Sequence, residues 1–401
     1  MRGKKIGSNI HVHLICLISL WSTHVLAFRL VNPSAISYAT PAGDQQVLVF
    51  ATADDNSHLF AARYDGGWTW FDLGQPHPGV GFSYPNAITY PDSPGGQQIR
   101  VFGRASDGTL VADSWDGSAW QWFDLGLPSG IDSIYEINAI TYVDAGGFRQ
   151  VRVFAMGSAH YGEYQRLVAD AWGGAWQWFD LGTTESQELV AFPSAVSYQD
   201  AAGDHVRVFT TPEGGRLGLL PHLVGDAWDG SNTWTWFDLG VPDGAADVTY
   251  ANAVAYVDYE GNAQIHVFAL ADNGHLVMNN WYGFGWFWVD LGLPATVTAI
   301  SPPKAITYPL GFGVQEVLVF TVANDGRLFG AAWNSEDEEW AWYDLGLGLG
   351  AEQVQNPTPI SYVDESGVRQ VLVFVEGSRG EILLDAWDGT SWTWSDLGQP
   401  Q

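Results

Sequence analysis

Three side chains able to grip a polyol recur at alternate positions of one short segment. The segment reads Arg166-x-Val168-x-Asp170-x-Trp172, then His222-x-Val224-x-Asp226-x-Trp228, then His275-x-Val277-x-Asn279-x-Trp281. Alternate residues of an extended strand share a face, so a donor, an acceptor and an indole would stand together. A carboxylate accepts from vicinal hydroxyls, Arg or His donates back, and an indole covers the apolar side of a sugar ring. Two further copies keep the acid and the indole, as Asp113 with Trp115 and Asp385 with Trp387. Two others carry Ala62 and Ala331 at the acid position. Those copies must fold as well, so the acid is not a demand of the fold. The expectation is ligand binding beside these strands, with Trp172, Trp228 and Trp281 as platforms and Asp170, Asp226 and Asn279 as acceptors.

Other chemistry is poorly represented. The seven histidines beyond residue 27 have no metal-ligand spacing, no cysteine follows Cys16, and no phosphate-cradling or calcium loop appears. No cofactor, metal or catalytic residue is therefore assigned.

The segments belong to a larger repeat. Seven copies of a Trp-x-Trp-x-Asp-Leu-Gly motif begin at Trp68, Trp120, Trp176, Trp234, Trp286, Trp340 and Trp392, with aspartates 52, 56, 58, 52, 54 and 52 residues apart. Each unit has four short apolar segments punctuated by Gly, Asp and Pro clusters, and helical periodicity is absent. Four antiparallel strands per unit of this length, seven times over, predict an all-β, seven-bladed β-propeller. The blades fall at 34–74, 86–126, 138–182, 194–240, 252–292, 304–346 and 358–398, within a single domain of residues 28–401. Because the Trp-x-Trp-x-Asp motif is the same in all seven units, its expected role is structural: Asp closes a turn and Trp packs between blades.

Residues 1–27 have a basic start, an apolar centre (Leu14 to Leu20) and a small-residue end at Ala27, the zones of a secretory signal peptide. The rest of the chain carries 13 basic against 45 acidic residues, a net charge of −32. So acidic a chain lacks the footprint of a nucleic-acid binder, and no later segment is a transmembrane candidate. The expectation is a secreted, extracellular protein with no nucleic-acid partner and no membrane insertion.

The Asp-Gly-x-Leu runs at Asp107 and Asp325, followed by Trp-Asp-Gly at Trp115, Trp228 and Trp387 and then by Trp and Leu-Gly, resemble the repeat of the seven-bladed propeller lectins of Photorhabdus bacteria. The resemblance covers the chain beyond the signal, and it implies a multivalent lectin that binds fucose or methylated sugars between blades. The Trp-x-Trp-x-Asp spacing and the inserts at His160–Gln165 and Gly214–Pro221 depart from that family. The leading expectation is a secreted carbohydrate-binding protein with repeated sites and with glycans or glycoproteins as partners. The alternatives are a propeller glycoside hydrolase or lyase, which would need acids that break the sevenfold pattern, and a protein-binding scaffold.

Overall fold

A computed structural model describes residues 28–40, 42–91, 96–159, 164–184, 190–200, 203–212, 221–230, 233–258, 260–311, 314–334 and 339–400. The expected signal peptide and most of the two inserts lie outside them. The described chain forms seven four-stranded antiparallel sheets, each made of four consecutive strands in simple order. Blade 2 is typical, with strands Phe82–Pro91, Gln97–Ala105, Leu110–Trp115 and Trp120–Gly126. First strands of consecutive blades touch all the way round, blade 7 with blade 1 included, so they form the inner wall of a closed ring. The seven-bladed, all-β expectation holds.

The repeated motif is what joins the blades. Its second indole donates to the Leu carbonyl of the preceding blade's own motif: Trp122 to Leu73, Trp178 to Leu125, Trp236 to Leu181, Trp288 to Leu239, Trp342 to Leu291 and Trp394 to Leu345. Trp70 completes the circle by donating to Leu397 at 3.1 Å. The first indole packs edge-on against the phenylalanine that centres the preceding blade, as Trp120 does on Phe50 and Trp68 on Phe374. Each Asp accepts the N–H of the glycine two residues on, from Asp72 with Gly74 to Asp396 with Gly398. Those glycines have positive φ, a conformation that costs glycine little.

Ring closure uses the same indole contacts as the other junctions. Among the described residues no strand is exchanged between blades 1 and 7, and Phe28 adds a stacked contact with Phe60 at 5.1 Å. A second belt runs along the inner wall, where Ser34, Asn86, Asn138, Ser194 and Asn252 each accept the N–H of an alanine in the next blade's first strand. The sixth link is absent because Pro359 has no N–H, and the residue facing it is Lys304 rather than an acceptor.

In six blades the first strand starts four or five residues ahead of the sequence-based position, for example at Leu30, Phe82 and Ser133. The added piece precedes a bulge in which Asn32, Tyr84, Glu136, Phe192, Tyr250 and Asn356 take positive φ. Non-glycine residues rarely adopt it, so nothing in their identity announced the bulge.

Candidate clefts between the blades

The alternation expected for the third strand is present. Asp170 lies opposite Trp178 and Trp172 opposite Trp176, so acid and indoles share the face turned to the preceding blade. The acids, however, are sealed. Asp113, Asp170, Asp226 and Asp385 are 0 % exposed and Asn279 is 1 % exposed. Among the described residues no hydrogen-bond partner meets the four carboxylates or the Asn279 carbonyl. Burial pushes all four carboxyls up to about 7, outweighing the pull of nearby backbone N–H groups where these exist.

The donors expected beside these acids are elsewhere. A register shift at the start of the third strand turns them to the fourth-strand aspartate: His222 meets Asp238 at 2.8 Å, His275 meets Asp290 at 2.9 Å, and Arg166 pairs with Asp180. His58 with Asp72 and Arg327 with Asp344 repeat the arrangement. The expected triad is therefore divided between an outer ion pair, a buried acid and an indole. Solvent-exposed pairs of this kind contribute about 0–1 kcal/mol each.

The indoles have a different partner, which the third strand alone could not reveal. The second strand of blades 2, 3 and 4 carries Arg100, Arg152 and Arg207 where blades 1, 6 and 7 carry Leu48, Leu318 and Leu372. These side chains face the next blade. The Arg152 guanidinium stands 4.2 Å from the Trp228 ring and 5.6 Å from Trp234. Arg100 is 5.6 Å from Trp172 and 5.3 Å from Trp176. The Nε of each is buried and, among the described residues, has no acceptor. At the next junction Arg207 and Tyr198 line a cavity of about 190 Å³ with Trp281, Trp286 and Phe237. Here Asp229 draws the guanidinium aside at 2.7 Å, and the Val206 and Trp228 carbonyls accept from it at 3.1 Å. His205, stacked on Tyr198, places its two ring nitrogens against Asp200 and Asp229.

Two consecutive junctions thus set an arginine from one blade on two indoles of the next, and at the third Arg207 lines a cavity with two indoles. Trp172, Trp228 and Trp281 are in these junctions. Trp115 and Trp387 face blades that carry leucine at the cation position. The signal for the arginines was present in the sequence as Ile99-Arg100-Val101, Val151-Arg152-Val153 and Val206-Arg207-Val208, a charge amid residues typical of a strand buried on both faces. Among the described residues no group of three or more His, Cys, Asp or Glu is placed to hold a metal ion, and no helix is long and apolar enough to cross a membrane.

The fold and its clefts define a seven-bladed β-propeller with cation-aromatic junctions between blades. Solved structures with this fold include a lectin from Burkholderia pseudomallei, 16 % identical, with a TM-score of 0.64 over 93 % of this chain and 100 % of that one. The Aleuria aurantia lectin in complex with α-methyl-L-fucoside is 19 % identical, with a TM-score of 0.53 over 80 % of this chain and 99 % of that one. A triple arginine-to-alanine variant of AofleA from Arthrobotrys oligospora is 16 % identical, with a TM-score of 0.52 over 80 % of this chain and 89 % of that one. No protein-family model matches the chain, and no curated protein matches its sequence.

Proposed function

We propose that this protein is a secreted, multivalent lectin that binds fucose-type sugars in the clefts between blades 2 and 3, 3 and 4, and 4 and 5. The observation that carries the reading is a half-buried arginine with an unmet Nε donor, set on paired indoles at two successive junctions, with Arg207 lining a cavity beside two indoles at the next. Such a donor is satisfied by a hydroxyl or ring oxygen, and an indole offers an apolar face to the C–H side of the same ring. The arginines here are 52 and 55 residues apart, close to the 53-residue spacing of the three replaced in AofleA. The neighbour from Aleuria aurantia holds a methyl fucoside, which supports fucose as the sugar class. In this reading Trp172, Trp228 and Trp281 are the platforms. Arg100, Arg152 and Arg207 take the role expected of the third-strand acids.

Sites held on one rigid ring act together on a glycosylated surface, so avidity exceeds single-site affinity. Secretion rests on the composition of residues 1–27. Calorimetric titration with methyl α-L-fucoside tests the reading. Each of R100A, R152A and R207A should reduce the number of sites by one, and the triple variant should bind nothing while remaining folded. A triple variant that binds as the wild type does would refute it.

A further inference from the structure

We propose that the junction between blades 5 and 6 is a second kind of carbohydrate site, free of arginine and built for a neutral saccharide longer than one ring. The proposal rests on the reading of the ring as carbohydrate-binding. At this junction the cation position is occupied by His266, which is 7 % exposed. Burial lowers its pKa to about 4, so the imidazole is neutral at neutral pH.

The wall of blade 5 is rich in unmet polar atoms. His266 lies opposite Asn280, and Asn280 opposite Phe287, so all three turn to blade 6. Gln264 lies two residues along the same strand and faces the same way. Among the described residues the Gln264 and Asn280 carbonyl oxygens and the His266 Nδ1 are sealed without a partner. Their donor groups are committed, since Gln264 Nε2 donates to Asp258 and Asn280 Nδ2 to the Tyr282 hydroxyl. Native interiors leave few polar groups unmet. Two carbonyl acceptors beside a neutral imidazole are matched by the hydroxyl donors of a sugar rather than by an anion.

The rim of this junction is aromatic and exposed. Trp340 of blade 6 packs against the blade 5 wall in the same cluster as Tyr256. Trp333, 44 % exposed, is 6.3 Å from Trp340, whereas the corresponding indole pairs of blades 2, 3, 5 and 7 are 5.5–5.8 Å apart. The hairpin tip is Tyr282-Gly-Phe284-Gly, where blades 2 and 7 have Asp116-Gly-Ser and Asp388-Gly-Thr. Phe284 is 79 % exposed and contacts Phe287, which in turn contacts Tyr282, and Tyr282 contacts His266. An aromatic path therefore leads outward from the polar floor, and it gives a second and third sugar ring apolar faces to lie on.

The test is an array of neutral mono- to pentasaccharides, together with methyl α-L-fucoside in solution, probed with wild type and variants. R100A/R152A/R207A removes the arginine clefts, and Y282S/F287S strips the aromatic rim of this junction and frees the Asn280 amide from the Tyr282 hydroxyl. The triple-arginine variant should lose methyl α-L-fucoside and still bind at least one neutral oligosaccharide. Adding Y282S/F287S should weaken that binding by about tenfold or more. On its own, Y282S/F287S should leave methyl α-L-fucoside binding unchanged. A triple-arginine variant that binds nothing on the array, or whose binding is indifferent to Y282S/F287S, would overturn the proposal. Failure of the wild type to bind methyl α-L-fucoside would count against the arginine clefts and not against this site.

Discussion

Replacing Asp170 by Asn should stabilise the ring at pH 8 and leave it nearly unchanged at pH 4. Asp170 is 0 % exposed, has no hydrogen-bond partner among the described residues, and has its carboxyl pushed by burial from 3.8 up to about 7. The native state then holds a proton that the unfolded chain releases, so stability is highest below pH 3.8 and falls as pH rises towards 7. A tenfold difference in proton affinity between the folded and unfolded chain corresponds to about 1.4 kcal/mol. The rise from 3.8 to about 7 therefore sets an upper bound of roughly 4 kcal/mol for one group, and water penetration and relaxation should reduce it to about 1–3 kcal/mol. Asparagine keeps the shape and removes the charge, and blade 5 already carries Asn279 at this position with 1 % exposure. The assay is thermal and denaturant unfolding of wild type and D170N from pH 4 to 9. The two curves should meet near pH 4 and separate as pH rises towards 7, with the variant more stable. A variant less stable at pH 8, or a gap independent of pH, would show that the acid is ionised and satisfied in the fold.

Trp122→Phe removes the indole donor to the Leu73 carbonyl while keeping most of the packing, and should cost about 1 kcal/mol in a urea titration. Among the described residues Asp124 accepts only the N–H of Gly126, and it is exposed, so Asp124→Ala should cost no more than about 1 kcal/mol in the same titration, the small end of the capping range. Pro359→Ala exposes an N–H with no acceptor opposite it, and Lys304→Asn alone adds an acceptor with no donor. The double variant should add the sixth link of the inner belt and be more stable than the sum of the single changes predicts, by about 1 kcal/mol in a double-mutant cycle.

Much of this architecture was legible because one motif does the same work seven times. A residue such as Trp120, unchanged in type across every unit, had to serve the ring, and it does so against Phe50. The site was less legible. Aligning the third strands brought out Asp170 and Trp172, but strand alternation says which residues share a face and not whether water reaches that face. Trp172 lies beneath a cation, whereas Asp170 is sealed beside it. The cation, Arg100, comes from the preceding blade and from a different strand, a relation that appears only once the blades are placed in a ring. The bulges at Tyr84 and Phe192 were harder to read, because these residues do not favour positive φ and only the prolines after them, Pro85 and Pro193, mark a break in the strand.

A crystal structure of the protein soaked with methyl α-L-fucoside would show directly whether the arginine junctions are the binding sites. Sugar should occupy the three clefts flanked by Arg100 with Trp172, Arg152 with Trp228 and Arg207 with Trp281. None should occupy the junctions where Leu48, Leu318 and Leu372 replace the cation. Sugar at the leucine junctions, or bound only at the outer ion pairs such as His222 with Asp238, would contradict the assignment.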